Sequence, residues 1–185
     1  MSPLEIAAAL ITAWCIWLAT RESILYWPVG VVSVVLYSYI FYNARLYADA
    51  GLQIVYLILT AYGWWQWLRG GESGKALKVR RTPANAWLVI LIAGTIGSVA
   101  LAVGMRRWTD NPAPYIDATT AAFSIVAQWM TAKKWLESWI VWIVVDVVYV
   151  FLYVKRDLVP TAVLYAVFLI LAVKGYRDWR RSASV

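Results

Sequence analysis

Seven long apolar runs divide the 185 residues, at about 4–20, 26–42, 46–68, 85–104, 115–132, 137–154 and 158–176, and they leave little choice of fold. A helix needs roughly 17 to 25 apolar residues to cross the hydrocarbon of a bilayer. In oil each backbone N–H and C=O must find its partner inside the protein, so a chain crosses as helices or as a closed barrel. The runs are continuously apolar and lack the alternation of barrel strands, which selects helices. With 63% hydrophobic and 15% charged residues, the chain is too apolar to hide its surface in one soluble core. The reading is an all-α membrane protein of seven transmembrane helices. No basic residue precedes the apolar run of "MSPLEIAAALITAWCIWLA", so that run is expected to be the first span and not a cleavable signal.

The net charge of +7 is a matter of topology, because the Lys and Arg residues lie in the short gaps between runs and form no patch for nucleic acid. Basic loops stay on the cytoplasmic side. With the N-terminus outside, Arg21, the group Arg69 to Arg81, Lys133, Lys134 and the group Lys174 to Arg181 place 12 basic residues inside, against 5 outside (Arg45, Arg106, Arg107, Lys155 and Arg156). The expected orientation is therefore N-out and C-in. Cys15 is the one cysteine and histidine is absent, so intrachain disulfides, thiolate metal clusters and imidazole chemistry are excluded. There is no phosphate-binding Gly-rich loop, no nucleophile elbow and no metal-ligand spacing. Nothing in the sequence calls for an enzyme, a cofactor or a metal.

The chain also repeats itself. One fixed shift lays Trp17 on Trp129, Trp27 on Trp139, Tyr37 on Tyr149, Leu46 on Leu158, Gly63 on Gly175 and Trp67 on Trp179, and 15 of the 51 positions from 17 to 67 are identical. Apolar bias alone does not align Trp and Gly at one offset. The shift skips four spans, an even number, so the two copies point the same way. The architecture expected is a 3+1+3 parallel repeat like that of the SWEET transporters: repeat 1 at about 4–68, a linker helix at about 85–104 and repeat 2 at about 115–176, in one transporter domain. Two such bundles enclose a path on their common axis.

Polar residues inside the spans mark where that path is lined. In "WIVWIVVDVVYV", Trp139, Trp142, Asp146 and Tyr149 share one helical stripe. An ionised Asp at mid-bilayer costs about 2.5–3.5 kcal/mol on insertion scales, so it faces the bundle interior and calls for a partner. Trp rings beside it suit a flat cation. Gln53, Tyr56, Thr60 and Gly63 repeat the spacing on the third span, with Thr60 and Gly63 also open to plain packing roles. On the fifth, Asp117, Thr120, Ser124 and Gln128 share a face. Asp117 follows "NPAPY" and stands either in an outer vestibule or as negative charge on the first turn; Gln128 lies near the basic pair at the helix end, where solvation is the alternative to ligand contact. Trp139 is open to a second role as an interfacial anchor, since Trp27 holds the equivalent place.

The stretches "WPVGVVSVVLYSYIFYNARLYADAGLQIVYLILTAYGWWQW" and "QWMTAKKWLESWIVWIVVDVVYVFLYVKRDLVPTAVLYAVFLILAVKGYRDW" resemble the PnuC family of bacterial vitamin transporters over nearly the whole chain. The family signature WxxWxxx[N/D] matches Trp139, Trp142 and Asp146, with Asp where other members carry Asn. The resemblance implies a multi-pass protein of the bacterial inner membrane, possessing the same three-plus-one-plus-three architecture. It implies nicotinamide riboside as cargo, moved by facilitated diffusion and trapped by a cytoplasmic kinase, and a homo-oligomer, a trimer among relatives. Thiamine, another flat cation carried within the family, is the alternative cargo. A retinal protein is disfavoured because Lys174 sits at the end of the last span.

Overall fold

The computed structural model describes residues 3–43, 47–108 and 113–183; Arg45, Leu46 and the Asn111–Pro112 start of "NPAPY" lie outside them. The described residues form seven α-helices: α1 (Pro3–Thr20), α2 (Tyr26–Asn43), α3 (Tyr47–Arg69), α4 (Ala84–Trp108), α5 (Pro114–Ala132), α6 (Ser138–Lys155) and α7 (Val159–Ser182). By length and composition, α1, α4, α6 and α7 are apolar enough to cross a membrane. In α5 the apolar average is lowered by Thr120, Ser124 and Gln128, which are buried within the bundle and cost nothing to lipid.

Local chemistry sets the helix ends. Proline opens α5 and α7 in the first turn, where its missing N–H is not needed. Helices α1, α5 and α6 each end in a non-glycine residue with positive φ: Glu22 at 53°, Lys134 at 51° and Asp157 at 56°. Each is followed by an N–H that reaches back over the last turn, Ser23 to Leu18 O (3.0 Å), Trp135 to Met130 O (3.1 Å) and Leu158 to Tyr153 O (2.9 Å). These are Schellman closures, which satisfy carbonyls the helix leaves orphaned.

Six helices close a ring in which α1 packs on α2, α2 on α3, α3 on α5, α5 on α6, α6 on α7 and α7 on α1, while α4 lies outside against α5. Exchanging α1, α2 and α3 with α5, α6 and α7 carries each of the ring pairings onto another. The match extends to single contacts. A Cβ on Gly63 would enter the Trp27 ring, and one on Gly175 would sit 2.6 Å from Trp139 Cε2, so both positions admit no side chain. Trp27 stands edge-on to Trp67 at 5.3 Å and 89°, and Trp139 to Trp179 at 5.3 Å and 87°. Trp67 Nε1 donates to Thr131 O (3.1 Å) and Trp179 Nε1 to Ala19 O (2.9 Å), again equivalent positions.

Two contacts join a residue to its own equivalent. The Trp67 and Trp179 rings meet at 5.8 Å, and Lys134 Nζ lies 2.9 Å from Glu22 Oε2. A residue that touches its own repeat mate must stand beside the axis relating the halves. One end of the ring is thus plugged on its axis by an indole pair and an ion pair. The segment after α3 is docked against this end: Leu77 N donates to Trp67 O, Arg80 pairs with the turn at Lys134 and Leu136, and Thr82 donates twice to Glu137 Oε2. The outer surface is apolar, with Leu10, Ile54, Leu88 and Ile170 each more than half exposed, as lipid contact requires.

Candidate functional site

Inside the ring lies a cavity of about 520 Å³, lined by all six ring helices. It runs from Glu5, Phe41 and Thr161, near the N-terminal end of α1, down to Trp27, Thr131 and Ala172 beside the plug. This is the size range of sites that enclose small organic molecules.

Nine of the ten sequence-predicted site residues line it. Trp139, Trp142, Asp146 and Tyr149 come from α6, Gln53, Tyr56 and Thr60 from α3, and Ser124 and Gln128 from α5. Gln128 is buried and accepts a hydrogen bond from the Tyr26 hydroxyl at Oε1 (3.0 Å), so it is not a solvated helix end. Trp139 is buried against Trp179 and is no lipid-interface anchor; it both lines the cavity and closes it. Trp142 donates its N–H to Thr131 Oγ1 (3.2 Å), which fixes the plane of its ring. Ser124 bonds back to Thr120 O (2.8 Å) and also faces the cavity. The exception is Asp117, which is absent from the lining and pairs with Arg156 Nη2 at 3.0 Å, tying α5 to the end of α6.

Asp146 is 5% exposed. The ion pairs among the described residues join Glu22 to Lys134, Asp117 to Arg156 and Asp178 to Lys174, and none reaches Asp146. Among the described residues, the lining holds two carboxylates, Glu5 and Asp146, and no Lys, Arg or His. A buried carboxylate in such a wall favours a cation in the space before it. Tyr149, Tyr153, Tyr165 and Phe168 cluster along one side with centroids 4.7 to 5.7 Å apart, Tyr149 and Tyr153 stacked and the others tilted or edge-on, giving a polarizable face.

Residues that sequence reasoning missed come mostly from repeat 1: Thr12 and Ser33, whose hydroxyls share a hydrogen bond of 2.6 Å, with Glu5, Tyr26, Gly30, Val34 and Tyr37. The repeat itself carried their signal. Under the shift that lays Trp27 on Trp139, Ser124 corresponds to Thr12, Trp142 to Gly30, Asp146 to Val34, Tyr149 to Tyr37 and Gln53 to Tyr165, and every one of these lines the cavity.

Among solved structures, the crystal structure of the vitamin B3 transporter PnuC shares this fold, with a TM-score of 0.78 at 24% identity, covering 98% of this chain and 82% of that one. The nicotinamide riboside transporter PnuC of Escherichia coli (strain K12) is 26% identical, over 99% of this chain and 87% of its own length. The riboflavin/roseoflavin transporter RibM of Streptomyces davaonensis is 31% identical, over 88% of this chain and 77% of its own length. The profile of the nicotinamide mononucleotide transporter family matches residues 2–181, and the chain belongs to that family, whose members are transporters and not enzymes.

Proposed function

We propose that this chain carries nicotinamide riboside across the bacterial inner membrane. One observation carries the choice of cargo: Asp146, buried and without an ion-pair partner among the described residues, stands in a cavity lined by aromatic rings and by no basic side chain. The riboside offers a flat pyridinium cation to Asp146 and Trp142, and hydroxyls and an amide to groups such as Gln53, Gln128, Tyr56 and Thr60. A mononucleotide would bring a phosphate that this wall leaves unpaired, at the cost of burying an uncompensated charge. The PnuC relatives support the same cargo.

In this reading all seven helices cross the membrane as a 3+1+3 parallel repeat in one domain, N-terminus outside, with α4 as the linker helix. The pairwise recurrence of contacts at equivalent positions supports the repeat, and the excess of basic residues at the plugged end supports the orientation. Rocking of one half against the other opens the axis to either side. Transport in this reading is facilitated diffusion, made one-way by a cytoplasmic kinase that phosphorylates the riboside, and the protein assembles as a homo-oligomer, a trimer being the expected form.

A second reading is riboflavin, favoured by the 31% identity to RibM. Calorimetry on purified protein separates the cargoes: the riboside is expected to bind saturably, and thiamine, riboflavin and the mononucleotide to compete weakly. Tighter binding of any of the three would reassign the cargo. Accumulation in kinase-free liposomes above the outside concentration under a proton or sodium gradient would refute facilitated diffusion.

A further inference from the structure

The two walls of the cavity differ where it matters for ligand size. Trp142 and Asp146 on α6 correspond in the first repeat to Gly30 and Val34 on α2, and all four line the cavity. Because the halves map onto one another, each pair lies at the same depth on opposite walls. One of the lining tryptophans, Trp142, therefore faces a position with no side chain.

A glycine within a helix costs about 1 kcal/mol relative to alanine, so it calls for a reason. For Gly63 and Gly175 the reason is the Trp ring pressed against each. Gly30 has no such neighbour. A Cβ there would lie 3.6 Å from Cys15 Sγ and 3.6 Å from Thr60 Cγ2, which is ordinary van der Waals contact. Its φ is not positive, since among the described glycines only Gly74 has that conformation. Neither packing nor backbone shape demands glycine at position 30. What remains is the cavity.

We propose that Gly30 is the size determinant of the ligand site: its missing side chain leaves the slot opposite Trp142 into which the ligand ring slides. This deepens the assignment of the cavity as the transport site and rests on it. Val34 completes the slot with a neutral wall opposite Asp146, so the charge of the ligand is directed to α6.

The test compares Gly30→Ala, Gly30→Leu and Gly51→Leu, the last on a face of α3 with nothing within 4 Å of the added atom. Binding of nicotinamide riboside is measured by calorimetry and folding by the ligand-free melting temperature. Gly30→Ala is expected to weaken binding severalfold and Gly30→Leu on the order of 10- to 100-fold, as filling an occupied space does. Melting temperatures should stay near wild type, and Gly51→Leu should bind normally. Wild-type affinity in a folded Gly30→Leu overturns the proposal; should that variant not fold, wild-type affinity in Gly30→Ala overturns it equally. Wild-type protein that binds riboflavin and not the riboside refutes the cargo alone, and the same series run with riboflavin still decides the role of Gly30.

Discussion

Adding one methyl group at Gly63 or Gly175 should damage this protein more than most single substitutions. The Cβ of Gly175→Ala would stand 2.6 Å from both Cε2 and Cζ2 of Trp139, where carbon atoms prefer about 3.5–4.0 Å. The indole would have to retreat by about 1 Å. Behind it Trp179 meets its edge at 5.3 Å, is itself fully buried, and is held by its N–H on Ala19 O. Retreat therefore pushes the strain into the other half of the molecule. Overpacking costs about 1–3 kcal/mol, and a site with no slack belongs at the upper end. For a chain of this size 1 kcal/mol moves the melting temperature by about 2–4 °C, so a drop of about 6–12 °C is expected. Gly63→Ala presses on Trp27 in the same way and should lose a similar amount. The assay is thermal melting of detergent-purified protein followed by tryptophan fluorescence. Trp139→Leu combined with Gly175→Ala should lose less than the two single losses added, because the methyl then has room. Alanine variants melting within about 1 °C of wild type would refute the claim that these glycines exist to seat the indoles.

Three further tests, using four substitutions, probe the site and its plug. Asp146→Asn keeps shape and removes charge; unit charges about 4–6 Å apart at an effective dielectric of about 20 attract by about 3–4 kcal/mol before desolvation, so riboside affinity should fall about 10-fold or more while neutral riboflavin is spared, and equal losses for both ligands would remove the carboxylate from cation recognition. Lys134→Glu should abolish uptake in liposomes by placing like charges on the axis, and the exchange Glu22→Lys with Lys134→Glu should recover a large part of it; a swap as inactive as the single variant would deny the pair a role in closing that end. Tyr26→Phe frees Gln128 from its 3.0 Å hydrogen bond, and calorimetry should show riboside binding changed by about fivefold or less, with a larger loss indicating that Tyr26 itself touches ligand.

Much of this was written in the chain. Run lengths placed the helices because oil tolerates few other backbones, and the error lay at amphipathic ends. Thus α7 continues to Ser182 through Arg177, Arg180 and Arg181, since its buried Trp179 still needs a helix beyond the apolar run. Nine candidate residues reached the cavity because polar groups in a bilayer turn away from lipid. Asp117 departed because its partner, Arg156, lies 39 positions on, and no local pattern announces such a pair. Gly30 and Val34 on α2 were missed for a different reason: they carry no chemistry, so only their correspondence with Trp142 and Asp146 points to them.

That blind spot follows from what a duplicated transporter must do. Positions that hold the scaffold are kept in both copies, as with Trp27 and Trp139, Gly63 and Gly175, or Trp67 and Trp179, because each half must pack in the same way for the ring to close. A ligand such as a riboside has no twofold axis, and a lining that obeyed one would be wrong for half of it. Several lining pairs accordingly diverge, Gly30 against Trp142, Val34 against Asp146, Ile16 against Gln128 and Gln53 against Tyr165, while Trp27 with Trp139 and Tyr37 with Tyr149 line the cavity unchanged. Identity between repeats serves packing at Gly63 and Gly175, and difference inside the cavity breaks the symmetry that the ligand lacks. Under the proposed function, selectivity is expected from the positions at which the two halves disagree while facing the same cavity.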